Sequence, residues 1–334
     1  MPQSPLLAKL ATQLSYARMP LKSNLMTDNK FKHTPKMNVT VIIINWNAAD
    51  DTIGCVRQLS AWQQLSPHII VVDNASNDNS VAAITKACPN VQLICSKENL
   101  GFAGGTNLGI QAAQEQSNAP MLLLNNDAII DETDAARLLQ TLQEHPEIGV
   151  IGPLLFTPDK QTLIAVGGKN PVLHHKTRVL EIPTDKTILP VDYVIGAAAL
   201  IRSEVFSQVG LLDEDYFFSI EVADLCKRAK KQGYTIATDI RACAFHELNR
   251  SSRFRNTLYV YYSIRNRFIY IRKFYKLLKV PLISFWAFYS LALFTKLQMT
   301  QKVPTARTVR LGLTDGLQQR YGRQNERVLA YLER

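Results

Sequence analysis

Between residues 39 and 130 the chain alternates short apolar runs with segments of helix length, and polar residues close most of the runs. The runs are 39–45 (VTVIIIN), 69–72, 91–95 and 121–124 (MLLL). Short, apolar and rich in β-branched residues, they read as strands buried on both faces, the habit of parallel sheets. Helices are expected between them, at 51–65, up to Ala87 ahead of Pro89, and from the glycine-rich stretch to about Glu115. Strand–helix alternation at this spacing builds βαβ units, hence an α/β fold with a mostly parallel sheet flanked by helices. In such sheets ligands bind beyond the carboxyl ends of the strands, where loops diverge. Three of those ends carry Asn45-Trp46-Asn47, Asp73-Asn74 and Asn125-Asn126-Asp127.

One polar strand end is ordinary turn material. Three on one edge make a ligand site. A carboxylate beside two amides at 125–127 suits a hard divalent cation carrying a diphosphate, because Mg²⁺ and Mn²⁺ take oxygen ligands and keep positions open for phosphate. Asp73 can accept a hydrogen bond from the ring N–H of a uracil or thymine base, and Trp46 can cover that base. As plain structure, Asp73-Asn74 is an Asx-turn with a helix cap. Gly104-Gly105 lets backbone approach a ligand near a helix N-terminus. No GxGxxG follows the first strand and no GxxxxGK[ST] occurs, which disfavours a dinucleotide-dependent dehydrogenase and excludes a P-loop enzyme.

Further along, a helix is expected at 133–144, a strand and turn at 148–153, and a loop or hairpin insertion across 157–190. Residues 191–201 are small and apolar, Ser203 is placed to cap a helix over 204–209, and a helix over 221–232 stops at Gly233. Strands at 234–238 and, separately, up to His246 follow, and the chain is helical from Tyr259. Residues 1–36 hold no secretory signal; a short helix at 6–19 and a basic linker are expected there. The five scattered cysteines form no CxxC pair, against a zinc site or a disulfide framework and in keeping with a reducing compartment.

Taken together, VTVIIINWN (39–47), IIVVDNASND (69–78), ENLGFAGGTNLG (98–109), LLLNNDAII (122–130), the stretch 191–218, DLCKRAKKQG (224–233), AFHE (244–247) and YYSIRNRF (261–268) resemble the family 2 glycosyltransferases of GT-A fold, in their rhamnosyltransferase-like branch. The resemblance spans about 38–270. It implies a Rossmann-like, mostly parallel sheet and a nucleotide-sugar donor held by Asn45, Trp46, Asn47, Asp73, Asn74, Asn99, Gly104, Gly105, Asn107, Asn125 and Asn126. It also implies a Mg²⁺ or Mn²⁺ ion on Asp127, with His246 as an added ligand, and inversion at the anomeric carbon. The donor is expected to be a dTDP- or UDP-sugar, rhamnose among the candidates, and the acceptor a surface glycan or a lipid-linked one.

The sequence departs from the family at one position that matters. Where the family has Glu-Asp-x-Asp, with the second residue as general base, this chain has Glu221-Val222-Ala223-Asp224. Valine cannot take a proton. Glu221 or Asp224, one helical turn apart on one face, is left for that role. The alternative is a weak or inactive donor-binding paralogue that scaffolds a glycan-assembly complex.

The net charge of +10 is uneven: residues 227–334 hold 22 Lys and Arg against 5 Asp and Glu. The apolar run 280–294, with Pro281 inside it, is flanked by Arg265, Arg267, Arg272, Lys273, Lys276, Lys279 and Lys296. At about 15 residues it falls short of the roughly 17–25 of a spanning helix. An interfacial helix on an anionic membrane surface is expected instead, with the protein cytoplasmic and peripheral on the inner face of the cell membrane. Nucleic acid is not an expected partner, since no binding motif accompanies the charge. The organisation expected is an extension at 1–37, a nucleotide-sugar-binding half at 38–150, an acceptor half at 151–256, and a helical, basic, apolar C-terminal region at 257–334.

Overall fold

The structure, a computed structural model, describes residues 37–247 and 255–333; the helix expected at 6–19 and the basic linker lie outside them. The first half runs β1 (Met37–Asn45), α1 (Ala49–Ser60), β2 (Leu65–Asp73), α2 (Ser80–Ala87), β3 (Gln92–Cys95), α3 (Gly101–Gln114), β4 (Met121–Asn125), β5 (Ala128–Ile130) and α4 (Glu132–Glu144). Next come β6 (Ile148–Phe156), four short strands β7 (Leu163–Ala165), β8 (Gly167–Gly168), β9 (Arg178–Val179) and β10 (Ile188–Pro190), then β11 (Ala198–Ile201) and α5 (Ser203–Val209). A 3₁₀ turn at Glu214–Tyr216 leads to α6 (Glu221–Lys231), β12 (Thr235–His246), α7 (Arg255–Phe274), α8 (Lys279–Met299), α9 (Val303–Leu317) and α10 (Asn325–Glu333).

One sheet carries both halves of the domain, in the order β10-β12-β6-β11-β4-β1-β2-β3, with β5 added on β12 and β7 on β6. Strands β1, β2, β3, β4, β6 and β12 run the same way, and β11 runs against its neighbours β4 and β6. The continuous apolar runs are explained by two covered faces. On β1, Val39, Val41 and Ile43 join a core with Val56 and Leu59 of α1 and Leu138 and Leu142 of α4. Ile42 faces the other way, among Ala103 and Ile110 of α3 and Leu225 and Ala229 of α6.

Several expectations are corrected. The helix expected to reach residue 65 ends at Ser60, because Leu65 already pairs with Met37 to start β2. Ser203 is the first residue of α5 and makes no capping bond. The two strands expected around 234–246 are one long strand, irregular between Asp239 and Cys243. Pro281 sits in the first turn of α8, where a missing N–H is tolerated, so it does not interrupt the helix. Helix α8 is long and apolar enough to cross a membrane by length and composition. One side of it, however, packs on the domain through Trp286, whose indole N–H donates to Val172 O at 3.0 Å.

The basic residues of the C-terminal region divide. Arg265 and Arg267 are turned inward; Arg265 is fully buried and the Arg267 guanidinium lies 4.4 Å from the Trp286 ring. Arg272 donates to the Gly316 carbonyl, and Lys273 pairs with Asp213 and Asp224. Lys276, Lys279 and Lys296 are exposed, as expected.

Candidate active site

Two strand ends meet at the turn after β4. Strand β5 pairs antiparallel with the end of β12, Ala128 opposite His246. That register sets His246 beside Asp127, with Nε2 3.1 Å from Asp127 Oδ1 and both side chains buried. Asn125 Nδ2 lies 3.2 Å from the same ring nitrogen. An amide nitrogen and a carboxylate oxygen thus both face Nε2, the ring atom whose lone pair a cation beside Asp127 Oδ1 would take. His246 Nδ1 has no hydrogen-bond partner. Among the described residues no group of three or more His, Cys, Asp and Glu is arranged to hold a metal ion. Asp127 and His246 alone could not close a structural site; a cation held by these two would keep positions for phosphate oxygens and water, as Mg²⁺ does.

From this turn a buried hydrogen-bond network runs across the sheet edge. Asn126 Nδ2 donates to Thr52 Oγ1 at 3.0 Å, and the Thr52 hydroxyl donates to Asn45 Oδ1 at 2.8 Å. Asn45 Nδ2 donates to Asp73 Oδ1 at 2.7 Å. Ser76 completes it, donating its hydroxyl to Asp73 Oδ1 and its N–H to Oδ2 while its oxygen accepts the Asn47 N–H. Three donors occupy the Asp73 carboxylate, leaving one of about four lone-pair positions on Oδ2. Trp46 stands out into solvent beside this network, about half exposed.

The expected donor residues therefore separate into two kinds. Trp46, Asn47, Asn125, Asn126 and Asp127 are at least partly open, whereas Asn45, Asn74 and Asn107 have committed their amides within the fold. Asn74 Nδ2 donates to Gly101 O and its Oδ1 accepts the Leu100 N–H; Asn99 Oδ1 accepts the Gly101 N–H. Asn107 is locked to Leu212 and Glu214. Gly104 and Gly105 lie inside α3, buried, and what comes close to them is the chain itself: a Cβ on Gly104 would meet Leu100, and one on Gly105 the Asn74 amide. Sequence reasoning missed Thr52 and Ser76. The Asp-x-x-Ser spacing of 73–76 is a side-chain turn signal that could have found the second.

Across the strand edge stands α6. The Asn125 N–H donates to Ala197 O, and the neighbouring Gly196 packs against Val222, so one loop separates the Asp127 turn from the start of α6. Val222 is part of the apolar core. Glu221 is the first residue of the helix, 6% exposed, with Oε2 lacking a partner. Burial pushes its carboxyl up to about 7, its own backbone N–H opposing and the Asp224 charge adding to the rise. Asp224 is fully buried and held on both oxygens: Arg228 Nε at 2.6 Å on Oδ1, Lys273 Nζ at 2.8 Å and the Tyr216 hydroxyl at 3.1 Å on Oδ2. Such a carboxylate fixes elements together and is poorly placed to take a proton; Glu221 is free to do so.

Comparison with known proteins gives the family and the fold. Residues 40–210 match the family model "Glycosyl transferase family 2". The chain is 28% identical over 255 residues to a low-salt glycan biosynthesis hexosyltransferase, Agl10, of Haloferax volcanii, covering 72% of this chain and 77% of that one. It is 25% identical over 221 residues to an N-acetylglucosaminyl-diphospho-decaprenol L-rhamnosyltransferase of Mycobacterium tuberculosis, covering 58% and 71%. Its fold is similar to that of a mannosyltransferase of Pyrobaculum calidifontis solved with GDP-Man and Mn²⁺, with a TM-score of 0.54, 14% identity and 94% of each chain covered.

Proposed function

The chain belongs to glycosyl transferase family 2 and is a nucleotide-sugar glycosyltransferase, and within that family we propose that it moves a sugar, with inversion, from a dTDP- or UDP-linked donor to a hydroxyl of a glycan or lipid-linked acceptor. The observation that carries this reading is the juxtaposition of Asp127 and His246 at 3.1 Å, on an edge whose neighbouring strand ends hold Asp73 and Trp46. Asp127 and His246 are the residues that would hold a Mg²⁺ or Mn²⁺ ion. Bound there, the ion neutralises charge on the diphosphate leaving group. Asp73 accepts the ring N–H of the base through Oδ2, and the Trp46 ring covers the base.

Glu221 takes the proton. As the acceptor oxygen attacks the anomeric carbon from the face opposite the diphosphate, the hydroxyl proton passes to Glu221 Oε2 and the bond from carbon to diphosphate oxygen breaks. A carboxyl near pH 7 is well matched to that task, because a base works best with its pKa close to the working pH. Val222 contributes packing and no proton chemistry.

The exposed side of α8 supports a membrane location for the site. Phe285, Phe288, Leu291 and Met299 are exposed on one helix, with Leu277 and Leu278 at its start. Lys276, Lys279, Lys296 and Lys302 surround them, and no Asp or Glu occurs between Glu247 and Asp315. Apolar surface rimmed by positive charge alone is complementary to an anionic bilayer. Because Trp286 and Ser290 on the opposite side are buried against the domain, α8 lies in the membrane plane. These features support a protein peripheral on the cytoplasmic face, where a lipid-linked acceptor would be presented.

Turnover tests the reading. Purified protein with Mn²⁺ and dTDP- or UDP-sugars is expected to transfer or hydrolyse the donor across a panel of glycan and polyprenyl-diphosphate acceptors. Binding of a donor with neither transfer nor hydrolysis would replace the enzyme with a donor-binding scaffold.

A further inference from the structure

The segment between the 3₁₀ turn and α6 is held in a costly conformation. Phe217, Ser219 and Ile220 all have positive φ, at 60°, 73° and 75°. At Phe217 the Phe218 N–H closes a three-residue turn on Tyr216 O at 2.6 Å, the strained hand of γ-turn. Ile220 is β-branched and left-handed, a genuine outlier for its residue type. Such a residue persists only where the surroundings over-determine it.

Two side chains of α7 over-determine it here. Arg265 and Asn266 are both fully buried. Arg265 Nη2 donates to Asp215 O and Tyr216 O at 2.9 and 2.8 Å, Nη1 reaches Gly322 O and Arg320 O, and Nε donates to Asn266 Oδ1. All five guanidinium N–H groups thus have acceptors. Asn266 Nδ2 lies within hydrogen-bond distance of three carbonyls of the strained turn, Tyr216 O, Phe218 O and Ser219 O, at 3.1, 2.9 and 2.6 Å. The opposite side of the turn rests on the donor-side helix: Phe217 O accepts the Ala103 N–H, and a Cβ at Gly101 would fall 2.3 Å from that oxygen. The turn is therefore clamped between α7 and the start of α3, and the next residue after it is Glu221.

We propose that Arg265 and Asn266 are positioning residues for transfer, holding the strained 216–220 turn so that the Glu221 carboxylate stays aimed at the acceptor while the turn remains seated on the donor-side helix. This rests on Glu221 as the base. A released turn relaxes, admits water to the Glu221 carboxyl and moves it off line.

The test compares Asn266→Ala, Asn266→Asp and Arg265→Lys with the wild type and Glu221→Gln, using melting and donor binding to establish that each variant folds. The Glu221 carboxyl is titrated directly, from the ¹³C-glutamate signal absent in Glu221→Gln, and kcat and donor KM are measured alongside. In the clamp variants the Glu221 midpoint is expected to fall by about one pH unit or more as water reaches it. Their kcat is expected to drop about 10²-fold, the scale of a 1 Å misplacement, with donor KM within a few-fold of wild type. A folded Asn266→Ala and Arg265→Lys with wild-type midpoint and kcat would overturn the clamp while leaving Glu221 as base. Full activity in Glu221→Gln would overturn the base assignment and the clamp with it.

Discussion

Glu221 and Val222, adjacent at the start of α6, meet different surroundings: a carboxylate oxygen without a partner and an apolar core against Gly196. The base assignment at Glu221 has consequences for both rate and stability. Glu221→Gln is expected to lower kcat by about 10²–10⁴-fold, the usual contribution of a positioned base. Its stability effect depends on pH. The Glu221 carboxyl is raised from its ordinary 4.5 to about 7, so folding favours the protonated form; its contribution is full below pH 4.5 and is lost as pH rises through 7. Glu221→Gln is therefore expected to be more stable than wild type at pH 8–9, by about 3 kcal/mol, and no more stable at pH 4. Calorimetric melts at both pH values check the sign. Val222→Asp buries a carboxylate beside Gly196, so it is expected to lower the melting temperature and to bring no gain in transfer; a tenfold gain would move the base to position 222. Single residues were unevenly legible from sequence. Asp127 stands at the end of an apolar strand and declares itself. The commitment of Asn45, Asn74 and Asn107 to the fold depends on partners such as Thr52, Gly101 and Leu212, which sequence spacing does not bring together.

Elements were easier to read where burial is two-sided and harder where tertiary contacts decide. Strands β1, β2 and β4 announce themselves because both faces are covered, which makes the middle of each run apolar on successive residues (Val41–Ile44, Ile69–Val72, Met121–Leu124). The small strands β7 to β10 have two to three residues each and carry no periodic signal. Helix α8 shows a third case: Pro281 argues for a break only until its place in the first turn is known. The basic flank was also overcounted from sequence, since Arg265, Arg267, Arg272 and Lys273 hold the domain together. The proposed docking of α8 would then rest on its apolar face, with the exposed lysines as a rim. Phe288→Glu and Leu291→Glu, both on exposed positions, are expected to leave melting within about 0.5 kcal/mol of wild type. Each is expected to weaken binding to phosphatidylglycerol-containing vesicles about 10-fold or more, from the roughly 1.5–3 kcal/mol of burying one large apolar side chain. Co-sedimentation with neutral and anionic vesicles reads this directly; variants that bind as wild type would remove α8 from the membrane.

At the scale of the molecule, the site depends on distant parts of one sheet. Asp127 arrives on the turn after β4, His246 on the last residue of β12, and they meet because β5 pairs with β12. The network from Asn126 through Thr52, Asn45 and Asp73 to Ser76 ties that turn to the end of β2. Donor and cation are accordingly expected to bind as one unit, each raising affinity for the other. Thermal melting with dTDP- and UDP-sugars, with and without Mn²⁺, measures this, because a ligand that binds only the folded state raises stability with the logarithm of its concentration. A stabilisation that requires both ligands in the wild type and is lost in Asp127→Asn and His246→Ala is predicted. Equal stabilisation by the donor with and without Mn²⁺, unchanged in those two variants, would contradict the site.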